Sequence, residues 1–128
     1  MPEPPKLSPL PEGLEEYMDV HVVRAEFGHI IWRKGTGGNA EILYIKATKK
    51  GGGRRLLRLM LSGLVDNPPY NGDGTVYGFT REGNLTALAF YDKMGFELSR
   101  VAGVYAEGSA VCFSAPYLAL VKTHLEDV

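Results

Sequence analysis

The chain has 128 residues, 45% of them hydrophobic, and a formal net charge of -1 at pH 7. A globular domain of this size is expected to bury about two thirds of its unfolded surface. The near-neutral charge argues against a general nucleic-acid or membrane-surface binder, because such proteins usually carry a strong basic excess. The single cysteine, Cys112, excludes an internal disulfide and favours the reducing cytoplasm. No apolar stretch reaches the length of a membrane span.

Five prolines stand within residues 1–13. They disfavour both helix and sheet and predict an extended leader, to which we assign no chemistry. Residues 14–128 are then expected to form one domain.

Three strands are predicted next. Partial alternation of apolar and polar residues from Tyr17 to Phe27 predicts the first strand, and Gly28 is a plausible turn. The second strand is predicted from His29 to Lys34, closed by the GTGGN loop at residues 35–39. The β-branched and aromatic run within Glu41 to Ala47 predicts a buried third strand. The expected arrangement of the three strands is antiparallel.

A glycine loop and a helix follow the third strand. The apolar residues of the helix recur at helical spacing and form one stripe: Leu56, Leu57, Met60, Leu61 and Leu64. Gly51, Gly52 and Gly53 lack a Cβ, so backbone N-H groups there can approach a ligand at the positive end of the helix dipole. Flanking lysines and arginines favour a diphosphate, although three glycines are also compatible with a simple flexible turn. Neither the NTPase phosphate loop nor the dinucleotide fingerprint is matched.

The second half of the chain predicts a mixed sheet. Turn-forming residues 66–74 end the helix, and the next strand, Thr75 to Thr80, is expected to run parallel to the third through a right-handed crossover. A helix is predicted from Asn84, a natural N-cap, to Met94, with Gly95 as its stop. The last two predicted strands are Phe96 to about Val104 and Tyr117 to Lys122. The expected fold class is α+β.

Two segments carry a resemblance to a known family. ILYIKATKKGGGRRLL and GNLTALAFYDKMGFEL resemble the acyl-CoA-binding segments of the GNAT superfamily of N-acetyltransferases, over roughly residues 41–122. In the first segment Gly51 and Gly53 fit the glycines of the family motif, whereas Thr48 stands where the family has Arg or Gln. The second segment fits the family at six positions in order: Asn84, Ala87, Phe90, Tyr91, Gly95 and Phe96.

The resemblance implies a fold and a cosubstrate. The implied fold has a mostly antiparallel sheet, a splayed parallel strand pair and flanking helices, with the N-terminal helices of the family apparently missing. Acetyl-CoA is the implied cosubstrate, and no metal is needed. Its pantetheine arm would lie along the splayed strand and its diphosphate would meet the N-H groups at the helix start. The implied cofactor-binding residues are Ile45, Lys46, Ala47, Gly51, Gly52, Gly53, Arg54, Arg55, Asn84 and Tyr91.

Two catalytic residues are expected from the same resemblance. Tyr91 matches the tyrosine that protonates the departing thiolate, and an ordinary tyrosine pKa of about 10 suits an acid for a thiol of about 8.5. The alternative is that Tyr91 belongs only to the apolar stripe of its helix. Glu41 matches a glutamate that removes the amine proton through water, but a glutamate at a strand entrance is more often solvated. Tyr77, Asp19 and His21 are rivals for the base, whereas His29 and His124 are expected to be surface or structural residues.

The predicted function is transfer of an acetyl group from acetyl-CoA to a primary amine by direct attack in a ternary complex. The acceptor is a small molecule or a protein. Because the chain offers only a proline-rich leader before its first hairpin, the acceptor site would be open or completed by a second subunit in a homodimer. The alternative is a non-catalytic acyl-CoA-binding or oligomerising module.

Overall fold

The computed structural model describes residues 20–66, 73–101 and 110–126. Within these ranges the strands are β1 (Val20–Ala25), β2 (Gly28–Lys34), β3 (Ala40–Ala47), β4 (Thr75–Arg81), β5 (Glu97–Val101) and β6 (Ala110–Pro116). The helices are α1 (Gly52–Val65), α2 (Leu85–Met94) and α3 (Tyr117–Val121), and α3 continues into a π-helical turn at Lys122–Glu126. A short 3-10 turn, Thr36–Gly38, lies between β2 and β3. None of the described helices has the length and apolar character that a membrane crossing requires.

All six strands belong to one sheet with the order β1-β2-β3-β4-β6-β5. Only β3 and β4 are parallel, and every other neighbouring pair is antiparallel. Helix α1 makes the crossover between the two parallel strands, as expected for a strand-helix-strand unit. The prediction of a mixed, mostly antiparallel α+β fold is therefore confirmed. The leader at residues 1–13, and with it the apparent loss of N-terminal helices, lies outside the described residues.

The parallel pair splays apart after three residues. Ala40 to Ile42 pair with Val76 to Gly78, and no pairing between β3 and β4 continues beyond that point. On the other side of β3, Ile31 faces Tyr44 whereas the next residue of β2 faces Ile42, so Leu43 is the extra residue of a β-bulge. A bulge bends its strand and increases its twist. The bend carries the end of β3 away from β4 and opens a wedge between them.

One apolar cluster holds α1 and α2 against the sheet. The predicted stripe of α1 is buried as a whole: Leu56, Leu57, Met60, Leu61 and Leu64. It packs with Ile30 and Ile42 from β2 and β3, and the same cluster contains Tyr91 and Phe113. Burying each such side chain contributes about 1.5 to 3 kcal/mol. The wedge therefore opens beside a firmly packed helix.

The last predicted strand is wrong. Tyr117 to Lys122 forms a helix, and the final strand lies earlier, at Ala110–Pro116. A short apolar run does not by itself distinguish strand from helix. The deciding contacts are tertiary, because Tyr117, Leu120 and His124 are buried at helical spacing on the same side of the segment. Pro116 ends the strand, because proline lacks the N-H that a further ladder bond would need.

Candidate active site

A cleft of about 420 Å³ lies between the free end of β3, the glycine loop and the first turns of α2. Its lining residues are Ile45, Lys46, Ala47, Lys49, Gly51, Gly53, Asn84, Thr86, Ala87, Phe90 and Tyr91. Seven of the ten predicted cofactor residues are among them, from segments that are about 40 positions apart in the sequence. Gly52, Arg54 and Arg55 do not line this cleft. Thr86 was not predicted as a site residue, because the sequence distinguishes it only by its position in the first turn of α2.

The glycine loop leaves part of a helix start open to a ligand. Gly51 has a φ of 79°, a left-handed conformation that glycine adopts without strain, and α1 begins at Gly52 without a side-chain cap. The predicted loop is thus shorter than three glycines. Within the described residues, the N-H of Gly52 donates to the Lys49 carbonyl at 3.0 Å and that of Arg55 donates to Gly51 at 3.3 Å, whereas no carbonyl accepts from Gly53 or Arg54.

Gly53 also sets the spacing of the two helices. A Cβ at this position would lie 2.6 Å from Cε1 of Phe90, closer than real Cβ contacts. The ring of Phe90 can therefore rest against the start of α1 only because residue 53 has no side chain. This contact joins the glycine loop to the helix that carries Tyr91, and both ends of it line the cleft.

Positive charge surrounds the loop. Lys49, Lys50 and Arg54 are exposed, and the first turn of α1 contains no acidic residue. The guanidinium of Arg55 lies 4.3 Å from the centre of the Phe27 ring, a cation-π contact that fixes it outside the cleft lining. The helix dipole adds to the field at this point. An anion in the cleft would meet the unused amide of Gly53 and the side chains of Lys46 and Lys49, because all three residues line the cleft.

Tyr91 and Asn84 each have a structural role and also line the cleft. Tyr91 is only 5% exposed, and its ring stacks on Phe113 with centroids 3.5 Å apart and 9° between the planes. It is therefore a core residue that also lines the cleft. Asn84 accepts a hydrogen bond from the Ala87 N-H at 3.2 Å, which caps α2, and it too lines the cleft.

Glu41 lies away from the cleft lining. Its Oε1 accepts a hydrogen bond from Nε of Arg33 at 3.0 Å, and its side chain is only 13% exposed, so it is not a solvated strand end. The strand register places it opposite Tyr77. Burial, followed by the Glu41 carboxylate, raises the pKa of Tyr77 and that of Cys112. The carboxylate thus belongs to a polar group, separate from the cleft lining, at the base of the wedge. Its members are Glu41, Arg33, Tyr77 and Cys112.

The rival residues have other surroundings. His21 stacks on Trp32 with ring centres 4.2 Å apart, on the edge strand, and Asp19 lies outside the described residues. His29 is buried, and burial together with the positive charges of Lys46 and Arg24 lowers its pKa. Arg33 was not anticipated, because its pairing with Glu41 depends on the register across the β2-β3 hairpin.

His124 is buried and has a structural contact. Its Nε2 lies 2.8 Å from the Met94 carbonyl at the end of α2, so the imidazole ties the C-terminal turn to that helix. Among the residues that the structure describes, no group of three or more His, Cys, Asp or Glu side chains could hold a metal ion.

No protein-family model matches the chain. No curated protein is similar to it. Comparison with solved structures, in contrast, finds proteins of one kind, the GNAT-family acetyltransferases.

Three of these structures illustrate the likeness. A protein assigned as a streptothricin acetyltransferase from Bacillus anthracis, solved with acetyl coenzyme A, has a TM-score of 0.60 and 23% identity over 70% of this chain and 56% of that one. A GNAT-family protein from Desulfovibrio desulfuricans has a TM-score of 0.65 and 15% identity over 77% and 69%. The ribosomal-protein-S18-alanine N-acetyltransferase from Escherichia coli has a TM-score of 0.52 and 22% identity over 70% and 61%.

At these identities the likeness establishes the fold. The chain has the fold of the GNAT acetyltransferases, with the splayed strand pair that its sequence resemblance implied. The matched region spans little more than half of the Bacillus anthracis protein.

The raised pKa of Cys112, caused by burial and by the Glu41 carboxylate, predicts that the folded protein loses stability at alkaline pH. Because the folded-state pKa of Cys112 is raised above its ordinary value of 9.0, the stability it contributes is complete below that value and lost as the pH rises through the folded pKa. The Cys112→Ala variant should therefore lose less of its free energy of unfolding between about pH 8 and pH 10 than the wild type. Urea unfolding at several pH values measures this, and parallel curves for the two proteins would contradict it.

Proposed function

We propose that this protein is an acetyl-CoA-dependent N-acetyltransferase that acts on a primary amine by direct attack in a ternary complex. The observation that carries the proposal is the wedge between β3 and β4, which opens beside two unused amides at the start of α1. The fold shared with acetyltransferases, one of them solved with acetyl coenzyme A, supports it.

We expect the coenzyme to bind in one orientation, with its pantetheine arm along β3 and its diphosphate at the start of α1. Beyond Ile42, β3 no longer pairs with β4, so the backbone of Ile45 to Ala47 can hydrogen-bond the amides of the pantetheine arm as an added strand would. The diphosphate would then lie on the N-H groups of Gly53 and Arg54, with Lys49 beside it. A cleft of about 420 Å³ is within the range of small-molecule sites.

The transfer step needs two proton movements. The neutral amine attacks the thioester carbonyl, and a backbone N-H on β3 stabilises the oxyanion. The C-S bond then breaks, and the hydroxyl of Tyr91 gives its proton to the departing thiolate. Stacking on Phe113 holds the Tyr91 ring in one orientation, which favours this role.

Glu41 is proposed as the base that takes the amine proton. Since its carboxylate lies outside the cleft lining, it would act through water rather than by direct contact. Arg33 holds Oε1 of that carboxylate at 3.0 Å and so fixes its orientation. The acceptor is proposed to be a primary amine of a small molecule or of a protein, as the names of streptothricin acetyltransferase and ribosomal-protein-S18-alanine N-acetyltransferase suggest for those two proteins.

One observation favours a second candidate, a non-catalytic acyl-CoA-binding module. The described residues that line the cleft include no carboxylate and no imidazole, and Glu41 is engaged by Arg33. A module of this kind would keep the coenzyme site and lack a competent base.

A paired binding and turnover experiment separates the two candidates. The protein is incubated with acetyl-CoA alone and then with a peptide N-terminus, a lysine peptide, a polyamine and streptothricin. An acetyltransferase should be thermally stabilised by acetyl-CoA and should release free coenzyme A thiol with at least one amine. Stabilisation without thiol release on any amine would favour the module, and the absence of stabilisation would reject the coenzyme site.

Replacing Tyr91 by Phe tests the acid. Because the ring and its stacking on Phe113 are kept, we expect affinity for acetyl-CoA to stay within about twofold, while kcat falls about a hundredfold, as for loss of a general acid. Binding calorimetry and initial rates measure the two effects. An unchanged kcat would remove Tyr91 from the chemistry.

Replacing Gly53 by Ala tests the helix start. The new Cβ would displace the Phe90 ring, which lines the cleft, so we expect the Kd for acetyl-CoA to rise about tenfold, a loss of ~1.4 kcal/mol.

Gly63→Ala is the matched control on the same helix. Among the described residues, apart from its two chain neighbours and the backbone of its own helix, no atom lies within 4 Å of a Cβ built at Gly63. This substitution should therefore leave the Kd unchanged and stabilise the helix by about 0.5 to 1 kcal/mol. Equal Kd values for the two variants would show that the contact between Gly53 and Phe90 does not shape the coenzyme site.

A further inference from the structure

A groove of about 490 Å³ lies between the edge strand β1 and helix α1. We call it the edge groove. Among its described lining residues His21 has the one polar side chain, and the His21 ring stacks on Trp32 with centroids 4.2 Å apart. None of these lining residues also lines the coenzyme cleft. The edge groove is therefore a separate feature of the fold.

Apolar surface along the edge groove is exposed. Leu59 is 47% exposed and Val22 is 39% exposed, and both line the groove. A Cβ built at Gly63 would meet no described atom within 4 Å, apart from its chain neighbours and the backbone of its own helix, so the groove is open there. Within the described residues, no strand pairs with the outer side of β1. Exposed apolar side chains beside an unpaired strand edge are typical of a surface that another segment covers.

The chain enters the sheet at one end of this groove. Val20 is the first residue of β1 and also lines the groove, so the residues before it are attached beside the exposed surface. We call residues 7–19 the N-terminal segment. Fully extended, it reaches roughly 43 Å, whereas the six residues of β1 span about 20 Å. One reversal of direction before Val20 is therefore enough to bring the segment along the groove, and covalent attachment favours it over a separate partner.

The N-terminal segment is both apolar and acidic. It contains no lysine, arginine or histidine. Its acidic residues are Glu12, Glu15, Glu16 and Asp19. Its large apolar residues are Leu7, Leu10, Leu14, Tyr17 and Met18. A segment of this composition needs an apolar surface with positive charge beside it.

The edge groove offers that combination. Arg55 and Arg58 stand on α1 within one turn of Leu59, and neither forms an ion pair with the part of the chain that the structure describes. The contact of Arg55 with the Phe27 ring places its guanidinium beyond the end of β1, opposite to Val20. The described lining residues include no carboxylate, and Asp66 follows the helix without lining the groove. The charges of segment and groove are therefore complementary.

We infer that the N-terminal segment binds in the edge groove of its own chain. Its apolar side chains cover Leu59 and Trp32, and its carboxylates lie towards Arg55 and Arg58. The inference does not depend on the proposed function, because it concerns a surface that the coenzyme cleft does not share. The segment then holds α1 from the side opposite to the cleft and screens Trp32, the only tryptophan of the chain, from solvent.

Quenching of the Trp32 fluorescence by acrylamide tests this on the full chain. The double variant Leu10→Ser, Leu14→Ser weakens the apolar contacts of the segment, so the quenching constant should rise about twofold and the emission should shift to longer wavelength. The matched control is Leu118→Ser. Leu118 is an exposed leucine on α3 that does not line the groove, so this variant should keep the wild-type quenching. Equal quenching in the double variant and the wild type would overturn the inference.

Disulfide trapping identifies the occupant of the groove. In a Cys112→Ala background, Gly63→Cys is combined with Leu14→Cys, and the oxidised protein is analysed by non-reducing electrophoresis and peptide mapping. We expect a link within one chain, because Gly63 lines the open part of the groove. The control pair, Leu118→Cys with Leu14→Cys, should form no such link. A linked dimer would show that a second copy supplies the segment, and the absence of any link would show that the segment lies elsewhere; either result would reject the inference and leave the proposed function untouched.

Discussion

The β-bulge at Leu43 is the feature on which the site depends. Strands β3 and β4 are held in register at Ala40 to Ile42, and the extra residue then turns the end of β3 out of the plane of the sheet. Backbone N-H and C=O groups that leave a ladder need other partners. The cleft therefore combines a short unpaired strand edge with the unused amides of a helix start, and an extended, amide-containing ligand with an anionic end satisfies both.

Glycines and aromatic rings maintain this opening from the side of the helices. Gly53 allows the Phe90 ring to rest on α1, and Gly78 leaves room over β4 for the ring of Phe113. Phe113 in turn supports Tyr91 by stacking. The hydroxyl-bearing ring thus gains its position from packing, whereas the unpaired strand edge is a property of the sheet. The geometry of the cleft thus depends both on the strand pairing within the sheet and on side-chain packing in the core.

Local patterns were sufficient to predict much of this architecture from the sequence. The apolar stripe of α1 and the cap at Asn84 are encoded within a few neighbouring residues, and the motif positions from Asn84 to Phe96 carried the family resemblance. The bulge at Leu43 and the pairing of Arg33 with Glu41 have no such local signal, because both depend on the register between two strands. The C-terminal helix was missed because an apolar pentapeptide suits either structure until its partners are known.

The surroundings of Cys112 bear on how the protein responds to oxidation. Thiol oxidation proceeds through the thiolate, and both burial and the neighbouring carboxylate disfavour that anion at this position. The single sulfhydryl of the chain is therefore expected to react slowly with oxidants at neutral pH. Because this thiol also reacts slowly with chromogenic reagents, the protein should give little background in an assay that detects a liberated mercaptan.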